Sequence, residues 1–499
     1  MTNFFFCFIL IFLSILPFTV SKVIQVSLTG NTTTLLSACK QAAPGDIIEF
    51  TSGLYPPQEV PKNTTGTYDK PIIIRSALNA KVTFETFTGD KYVFQVFNSS
   101  NIIVEGPFIV RSGTWLSVSA RNSTNVTISN FSIYNSTNWA IFASGVNITI
   151  KNNFADGCVL AHENCKTDSW LQCFGTAAID SYAPILSSNI VFENNEIINA
   201  WGEAIDVILC TNCVVKNNYL HNNNWCGIYV DNSCNVIIEN NEMRYDTSHR
   251  YSCSKDNRFH GIGIGNEDWP VKCVSTTNIT VRNNLVLGAP FGIGYWGWSD
   301  VAYYSDITIA NNNFVNVDKG ALDFKSECVV KGKTRNNQFK NNFIYSTLNQ
   351  YTAVINKSEE NTWNISSNVY YGGYEKILQD TWNGSDGNAH SIHLKENEMS
   401  FDTIFQRGLF RNCSNESYYN WDVESYCLIP QKQSILKNKG VFVSYSDLDG
   451  KVVTDFFGCA RNSLKPSVGM SEGDHVCNID GTKNLFVVMV VVCTMLLFL

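Results

Sequence analysis

The sequence predicts an all-β solenoid, a single chain wound into a coil whose turns lay short parallel strands on one another. Three observations predict it. First, a unit returns every 23 residues between Asn189 and Met243, as NIVFENNEI, NCVVKNNYL and NVIIENNEM. Asn194, Asn217 and Asn240 fall at the same point of the three units. Similar wording appears at 147–154, 278–286 and 306–314, and more weakly at 125–133. A fixed period of this length marks a stacked array, because one unit cannot bury its own apolar side chains and its neighbours must do so. Second, each unit alternates apolar and polar residues, as in Ile148-Thr149-Ile150-Lys151, which is the period of a strand. Third, an Asn pair closes each unit. Asn tolerates left-handed backbone and suits a corner. Stacked Asn side chains, ~4.8 Å apart up the coil, would satisfy one another's hydrogen bonds.

The elements follow in chain order. Residues 1–21 are apolar, end in Phe18-Thr19-Val20-Ser21 and read as a secretory signal. Residues 22–470 form the solenoid domain with its caps. In the start cap, 22–87, Leu35, Leu36 and Cys39 recur at helical spacing, so an amphipathic helix over Thr32–Ala43 is expected to cover the open first coil. Coils then run from Tyr92 to about Val369. Two loops interrupt them, at Gly157–Thr176 and Tyr245–Arg258, and loops leaving a rigid scaffold are where binding residues sit. The repeat fades from Tyr370. Residues 471–484 are a polar spacer and 485–499 an apolar tail of 15 residues, short for a spanning helix. With small residues at Ser471-Glu472-Gly473, this pattern is that of a lipid-anchor (GPI) attachment signal, with Ser471 as the attachment residue.

Composition agrees with an exported protein. The chain of 499 residues is 44% hydrophobic and 16% charged, with net charge −8 and no basic block. That argues against nucleic acid as a partner. The expected location is the cell surface, held by the lipid anchor, as a monomer. Sequons are dense, and Asn31, Asn63, Asn98, Asn122, Asn135, Asn278, Asn356, Asn364, Asn383, Asn412 and Asn415 are candidate glycan acceptors. Asn125 and Asn147 also stand in sequons but coincide with the repeat. Seventeen Cys fit an oxidising compartment. Loss of both terminal signals removes Cys7, Cys477 and Cys493 and leaves an even number, so every remaining thiol is expected to find a partner. Cys210-x-x-Cys213 reads as part of that disulfide framework, with Cys210 and Cys234 as one plausible pair on adjacent coils.

The repeat resembles the right-handed parallel β-helix repeats of the pectin lyase-like superfamily over roughly residues 22–470. Ala42-Ala43-Pro44-Gly45-Asp46-Ile47-Ile48, Gly53-Leu54-Tyr55 and Pro71-Ile72-Ile73-Ile74-Arg75 are similar to the opening segment of secreted β-helix polysaccharide lyases. Leu428–Glu472 resembles the closing segment of such proteins and is taken as the end cap. The resemblance implies a right-handed coil and a polysaccharide as partner.

Laid in register, Ala178, Ala204, Gly227, Gly261, Gly292 and Ala321 begin one strand in successive coils. The residues two further on face outward: Asp180, Asp206, Tyr229, Gly263, Gly294 and Asp323. Beyond them lie Asp231, Gly265, Trp296 and Lys325. This register puts Asp180 and Asp206 ~5 Å apart. Like charges that close raise one another's proton affinity, so one carboxyl stays protonated as an acid. Asp231 lies diagonally beyond and Glu203 begins the Asp206 strand. Paired carboxylates serve glycoside hydrolysis. Alternatively, Asp180, Asp206 and Asp231 would hold Ca²⁺, which takes several carboxylate oxygens and would support β-elimination from a uronate. The glycines are expected to leave a flat floor for a sugar chain, with Tyr229, Trp296 and Trp298 stacking on its rings and Lys325 as a cation at the far end. Phe259-His260-Gly261-Ile262-Gly263 resembles the His-Gly segment of polygalacturonase-type hydrolases, and Gly202-Glu203-Ala204-Ile205-Asp206 their paired-Asp strand. That resemblance implies a catalytic carboxyl at Glu203 and an orienting role for His260. The Asn-Thr-Asp motif of that group is missing, and an extra coil separates Glu203 from His260. Three function classes remain open: a lyase or hydrolase of acidic polysaccharide, a carbohydrate-binding or adhesion protein, and a surface-coat glycoprotein.

Overall fold

The computed structural model describes residues 21–86, 91–111, 115–166, 172–180, 185–245, 260–267, 275–297, 302–317, 319–324 and 332–346, with shorter stretches from there to residue 469. The expected signal, the spacer with Ser471 and the apolar tail lie outside the described residues. Among the described residues no helix is long and apolar enough to cross a membrane.

Each coil contributes to three parallel sheets. The first starts Val23–Val26, Ile47–Phe50 and Ile72–Ser76 and continues through Ser187–Glu193, Cys234–Glu239 and Thr276–Arg282. The second runs from Gly53–Tyr55 through Glu196–Ile198, Tyr219–His221 and Glu242–Arg244. The third runs from Gln58–Val60 through Tyr92–Phe97, Gln172–Thr176, Glu203–Ile208, Ile228–Asp231, His260–Asn266, Phe291–Gly297 and Gly320–Phe324. Every pairing between coils is parallel and in consecutive order, as the repeat predicts. Alternate residues fill the interior: Ile48, Ile74, Ile102, Val126, Ile148, Ile190, Val236 and Ile279 are all buried. Near the start, Phe50, Phe84, Phe108 and Phe131 pack as successive rings, with centroids 5.1 to 5.3 Å apart between neighbours.

The two members of each Asn pair do different work. The first adopts left-handed backbone, with φ between 54° and 60° at Asn152, Asn194, Asn217, Asn240, Asn283, Asn311 and Asn341. That conformation turns the chain and is cheap for Asn. The second is buried and forms a ladder: Asn195 Nδ2 donates to Asn218 Oδ1 (3.0 Å), Asn218 to Asn241 (2.9 Å), Asn241 to Asn284 (3.0 Å) and Asn284 to Asn312 (3.0 Å). Each amide also donates to a backbone carbonyl of the preceding coil, as Asn241 does to Val215 (2.8 Å). A second, exposed ladder links Asn101, Asn125, Asn147 and Asn189 at 2.9 Å steps. On the first sheet Lys151, Glu193, Lys216, Glu239 and Arg282 stand in register with alternating charge.

Several expectations meet a different outcome. The N-terminal helix is one turn, Leu35–Cys39, with Thr34 Oγ1 accepting from Ser37 N as its N-cap. Leu35 and Ala38 bury against the first coils. Cys210 pairs with Cys213 rather than with Cys234, and Cys158 pairs with Cys173. Cys39, Cys226 and Cys234 are free thiols, so pairing is not complete. Adjacent coils place Cys234 opposite Thr211, one residue past Cys210, and its thiol donates to Thr211 Oγ1 (3.4 Å). In the expected end cap, the described residues lie along the flank of the coil: Arg461 donates to Asn283 Oδ1 (2.8 Å), and Gly469 N to Asn341 O (2.7 Å). Of the candidate glycan acceptors, Asn31, Asn63, Asn98, Asn122, Asn135 and Asn364 are exposed. Asn278 is half-buried and donates to Asn235 Oδ1 (2.9 Å). Asn356, Asn383, Asn412 and Asn415 lie outside the described residues.

Candidate functional site

The third sheet gathers most of the predicted site. Its parallel register sets Gly175 opposite Asp206, then Tyr229, Gly263, Gly294 and Asp323 on the following coils. A second row two residues on carries Asp231, Gly265 and Trp296. Trp298 and Lys325 lie outside the described residues.

Asp180 does not join the row. The strand that precedes Asp206 is Gln172–Thr176, so Gly175 holds the place expected for Asp180. Phe174 fills the core there and Cys173 is tied to Cys158 by a disulfide, which fixes that segment on the coil. Asp180 instead sits exposed in an antiparallel bridge with Ile185. The proposed Asp180–Asp206 contact and the Asp180, Asp206, Asp231 donor set are therefore not assembled. Among the described residues no group of three His, Cys, Asp or Glu side chains is placed to hold a metal ion. The residues present do not fit a Ca²⁺ site of that composition.

Four acids instead lie near enough for their charges to bear on one another. Glu203 is 2% exposed, and Asp206 and Asp231 are closed to solvent. Glu267, half-buried, follows the strand His260–Asn266. Burial pushes the Glu203 carboxyl up to about 8, and the charge of Glu267 adds to the rise. Burial also raises Asp206 well above the usual carboxylate range, followed by the charges of Glu203, Asp231 and Glu267, while the Gln172 amide opposes the rise weakly. Neither Asp206 oxygen has a hydrogen bond of good geometry. A buried carboxyl without such partners takes up a proton rather than carry a charge. Burial thus raises the proton affinity of both Glu203 and Asp206 above that of an ordinary carboxyl.

Glu267 was missed in the sequence because it stands just past the strand end, outside the repeat. Its Oε1 accepts from Tyr229 Oη (2.9 Å) and Trp296 Nε1 (3.4 Å). Its backbone N–H donates to Asn232 Oδ1 (2.6 Å), which fixes the turn. On the next coils His260 Nε2 lies 3.2 Å from Asp323 Oδ2, with both side chains buried. The Cys226 thiol beside the acids is pushed up by burial and then by the Glu203 charge, so it stays neutral and is no nucleophile.

The glycine floor is not bare, as it was expected to be. Tyr229 and Trp296 stack across it with centroids 4.6 Å apart, and His260 stacks on Phe291 at 5.1 Å. A Cβ added at Gly265 would lie 2.2 Å from Tyr229 Oη, and one at Gly294 would lie 2.1 Å from the His260 ring. The glycines are required by rings of this protein, and two of those rings, Tyr229 and Trp296, are tied to Glu267. Tyr229 is itself buried; Trp296 and Glu267 keep partial exposure. Gly265→Ala is expected to cost ~1–3 kcal/mol in chemical unfolding by forcing Tyr229 off Glu267. Gly175→Ala, whose nearest neighbours would be at 3.4 Å, should stay within ~0.5 kcal/mol of the parent.

The model of the right-handed β-helix region matches residues 109–247 and 185–314. No curated protein matches the sequence. Among solved structures, XylC in complex with xylose aligns over 91% of this chain and 99% of its own, at 11% identity and a TM-score of 0.54. An alginate lyase from Paenibacillus sp. str. FPU-7 aligns over 57% of this chain and 93% of its own, at 18% identity and a TM-score of 0.44. A hyperthermoactive exopolygalacturonase from Thermotoga maritima aligns over 74% and 91%, at 10% identity and a TM-score of 0.46. At these identities the likeness concerns the fold. The parallel register of three sheets and the match across the central coils together make this chain a right-handed parallel β-helix repeat protein.

Proposed function

We propose that the third-sheet face cleaves glycosidic bonds in an acidic polysaccharide, with a buried carboxyl as the proton donor. The observation that carries this reading is the pair Glu203 and Asp206, buried with carboxyl oxygens that lack hydrogen-bond partners, which raises the proton affinity of both. Both hydrolysis and β-elimination need a proton on the leaving glycosidic oxygen, and a carboxylic acid with raised proton affinity supplies it. In hydrolysis the carboxyl proton passes to the departing oxygen as the anomeric C–O bond breaks and water adds to that carbon, giving up its proton. In elimination a base takes the C5 proton as the C4–O bond breaks. In both, the carboxylate left behind regains a proton from water. Asp231 is the second carboxyl of the cluster. His260, held by Asp323, orients the site, and the partly exposed Trp296 is the contact for a sugar ring. Asp206 and Asp231 are closed to solvent, so substrate engagement requires the side chains that cover them to part. Ca²⁺ enters this reading as a counter-ion for substrate carboxylates rather than as a ligand of Asp180. The apolar first 21 residues, the exposed sequons and the tail behind Ser471 support placing this activity on a glycosylated, lipid-anchored protein at the cell surface.

A second reading, a carbohydrate-binding or coat protein, is favoured by the closure of Asp206 and Asp231 to solvent. Chain ends separate the two. The purified protein is incubated with pectate, alginate and glycosaminoglycans, with and without Ca²⁺. The expected result is new ends from at least one acidic polymer, unsaturated for elimination and reducing without unsaturation for hydrolysis. No new ends from any of them would leave the binding reading in its place.

A further inference from the structure

The outward face of the third sheet changes character on the N-terminal side of the acids. Trp115 is 54% exposed and meets Trp139 edge-on, with centroids 5.5 Å apart. Trp139 in turn meets Phe142 at 5.5 Å. The Arg121 guanidinium sits 6.0 Å from the Phe142 centroid and 5.6 Å from that of Phe97, and Lys62 Nζ lies 4.9 Å over Phe97 from the far side. Arg121 and Lys62 are exposed, and the Phe rings are half-buried. The sheet's core side chains include Phe94, Val118 and Ile141, and Trp139 also packs against that core, whereas Trp115, Phe97 and Phe142 are not part of it, so interior packing does not account for those three rings.

Register ties this patch to the acids. Phe142 pairs with Gly175 and Gly175 with Asp206, so the patch begins two coils away, about 10 Å at the strand spacing, and reaches about 19 Å at Phe97. At Gly175 between them, the Gln172 and Trp139 side chains come within 3.4 Å of where a Cβ would stand, so side chains of the patch reach the coil next to Asp206. Trp139 Nε1 donates to Gln172 Oε1 (2.6 Å) on the coil next to Asp206.

We infer that Trp115, Trp139, Phe142, Phe97, Arg121 and Lys62 form a binding platform for an anionic oligosaccharide lying along the coil axis and leading to the acids. Ring faces are electron-rich and receive the C–H faces of sugars, while their edges keep the rings rigid. The Arg fork matches a carboxylate or sulfate in two bonds, and Lys adds a point charge. Both cations are already held over rings, so little order is lost when the ligand arrives. The inference rests on the proposed function in one respect, that the bound chain continues to Asp206.

The test is equilibrium binding of size-fractionated oligogalacturonate, oligomannuronate and chondroitin oligosaccharides to the full chain carrying Asp206→Asn, so that nothing is consumed. Tryptophan fluorescence and calorimetry give the affinity, and neutral cello-oligosaccharides are the control. At least one acidic series should bind, more tightly with length and more weakly with salt. Adding Trp115→Ala and Arg121→Gln together should weaken it by about tenfold or more at an unchanged melting temperature. Equal affinity in that variant, binding of the neutral series alone, or no binding of any acidic series would overturn the platform. Binding that needs Trp115 and Arg121 in a protein that cuts nothing leaves the platform standing and removes the cleavage reading. Cleavage by a protein whose acidic ligands ignore Trp115 and Arg121 does the reverse.

Discussion

Asp206→Asn is expected to lower cleavage of the acidic substrate by ~100- to 10,000-fold, the range lost with a general acid. The substitution keeps the shape of the side chain and removes its proton donor. It should also flatten the dependence of stability on pH. The folded state raises the Asp206 carboxyl by burial and by the charges of Glu203, Asp231 and Glu267, so the folded protein holds a proton that the unfolded chain releases. Stability from such a group is present below the unfolded value and is lost as pH rises through the folded one. Glu203, raised from 4.5 to about 8, adds a loss over the same window, at most about 5 kcal/mol. Melting temperatures of the parent should therefore fall between about pH 4.5 and about pH 8, and those of Asp206→Asn should fall less. Full activity in Asp206→Asn would remove this residue from the chemistry.

Asn241→Ala carries the largest expected cost to the fold. Asn241 Oδ1 accepts from the backbone N–H and Nδ2 of Asn218 (3.0 and 2.9 Å). Its own N–H and Nδ2 donate to Asn284 Oδ1 (2.9 and 3.0 Å), and Nδ2 also reaches Val215 O (2.8 Å). Alanine would take partners from the Asn218 N–H, the Asn218 amide and the Val215 carbonyl on one neighbouring coil and from Asn284 Oδ1 on the other. Each unsatisfied group costs ~1–3 kcal/mol, so a total of at least ~3 kcal/mol is expected in urea unfolding. In a solenoid each coil contacts mainly its neighbours, so the break should also broaden the transition as the two halves uncouple. Asn240→Ala is the internal comparison. Its φ of 57° must be borne by Ala, a cost of ~1–2 kcal/mol, while the ladder stays whole. Equal losses for the two variants would mean that the pair does not divide its work between turn and ladder.

Much of this was legible in the sequence because a solenoid is locally written. The Asn pair, the alternation and the period together placed Asp206, Tyr229, Gly263, Gly294 and Asp323 in one row, and the structure has the same row. Asp180 was misplaced because Phe174-Gly175-Thr176 and Ile179-Asp180 both offer an apolar residue followed by a small or polar one. The choice between them was made by the Cys158–Cys173 tie and the fit of Phe174 into the core, neither of which is readable from periodicity. The glycines were read as open floor, but a missing Cβ says only that something comes close. Here the thing that comes close is an aromatic ring of the same chain. Glu267 lies outside the repeat and gave no periodic signal; its role depends on the turn set by Asn232. The Trp115 platform was overlooked for a related reason: its members come from separate coils and are gathered by register, with no motif of their own.

The most direct test of this account asks whether the buried acids hold their protons. Infrared difference spectra between about pH 6 and about pH 9 report the protonated carboxyl C=O band. The parent protein should show such a band disappearing near pH 8, and Glu203→Gln should lack that step. A parent whose carboxyls are already fully ionised at about pH 6 would contradict the proton-donor assignment and the chemistry built on it.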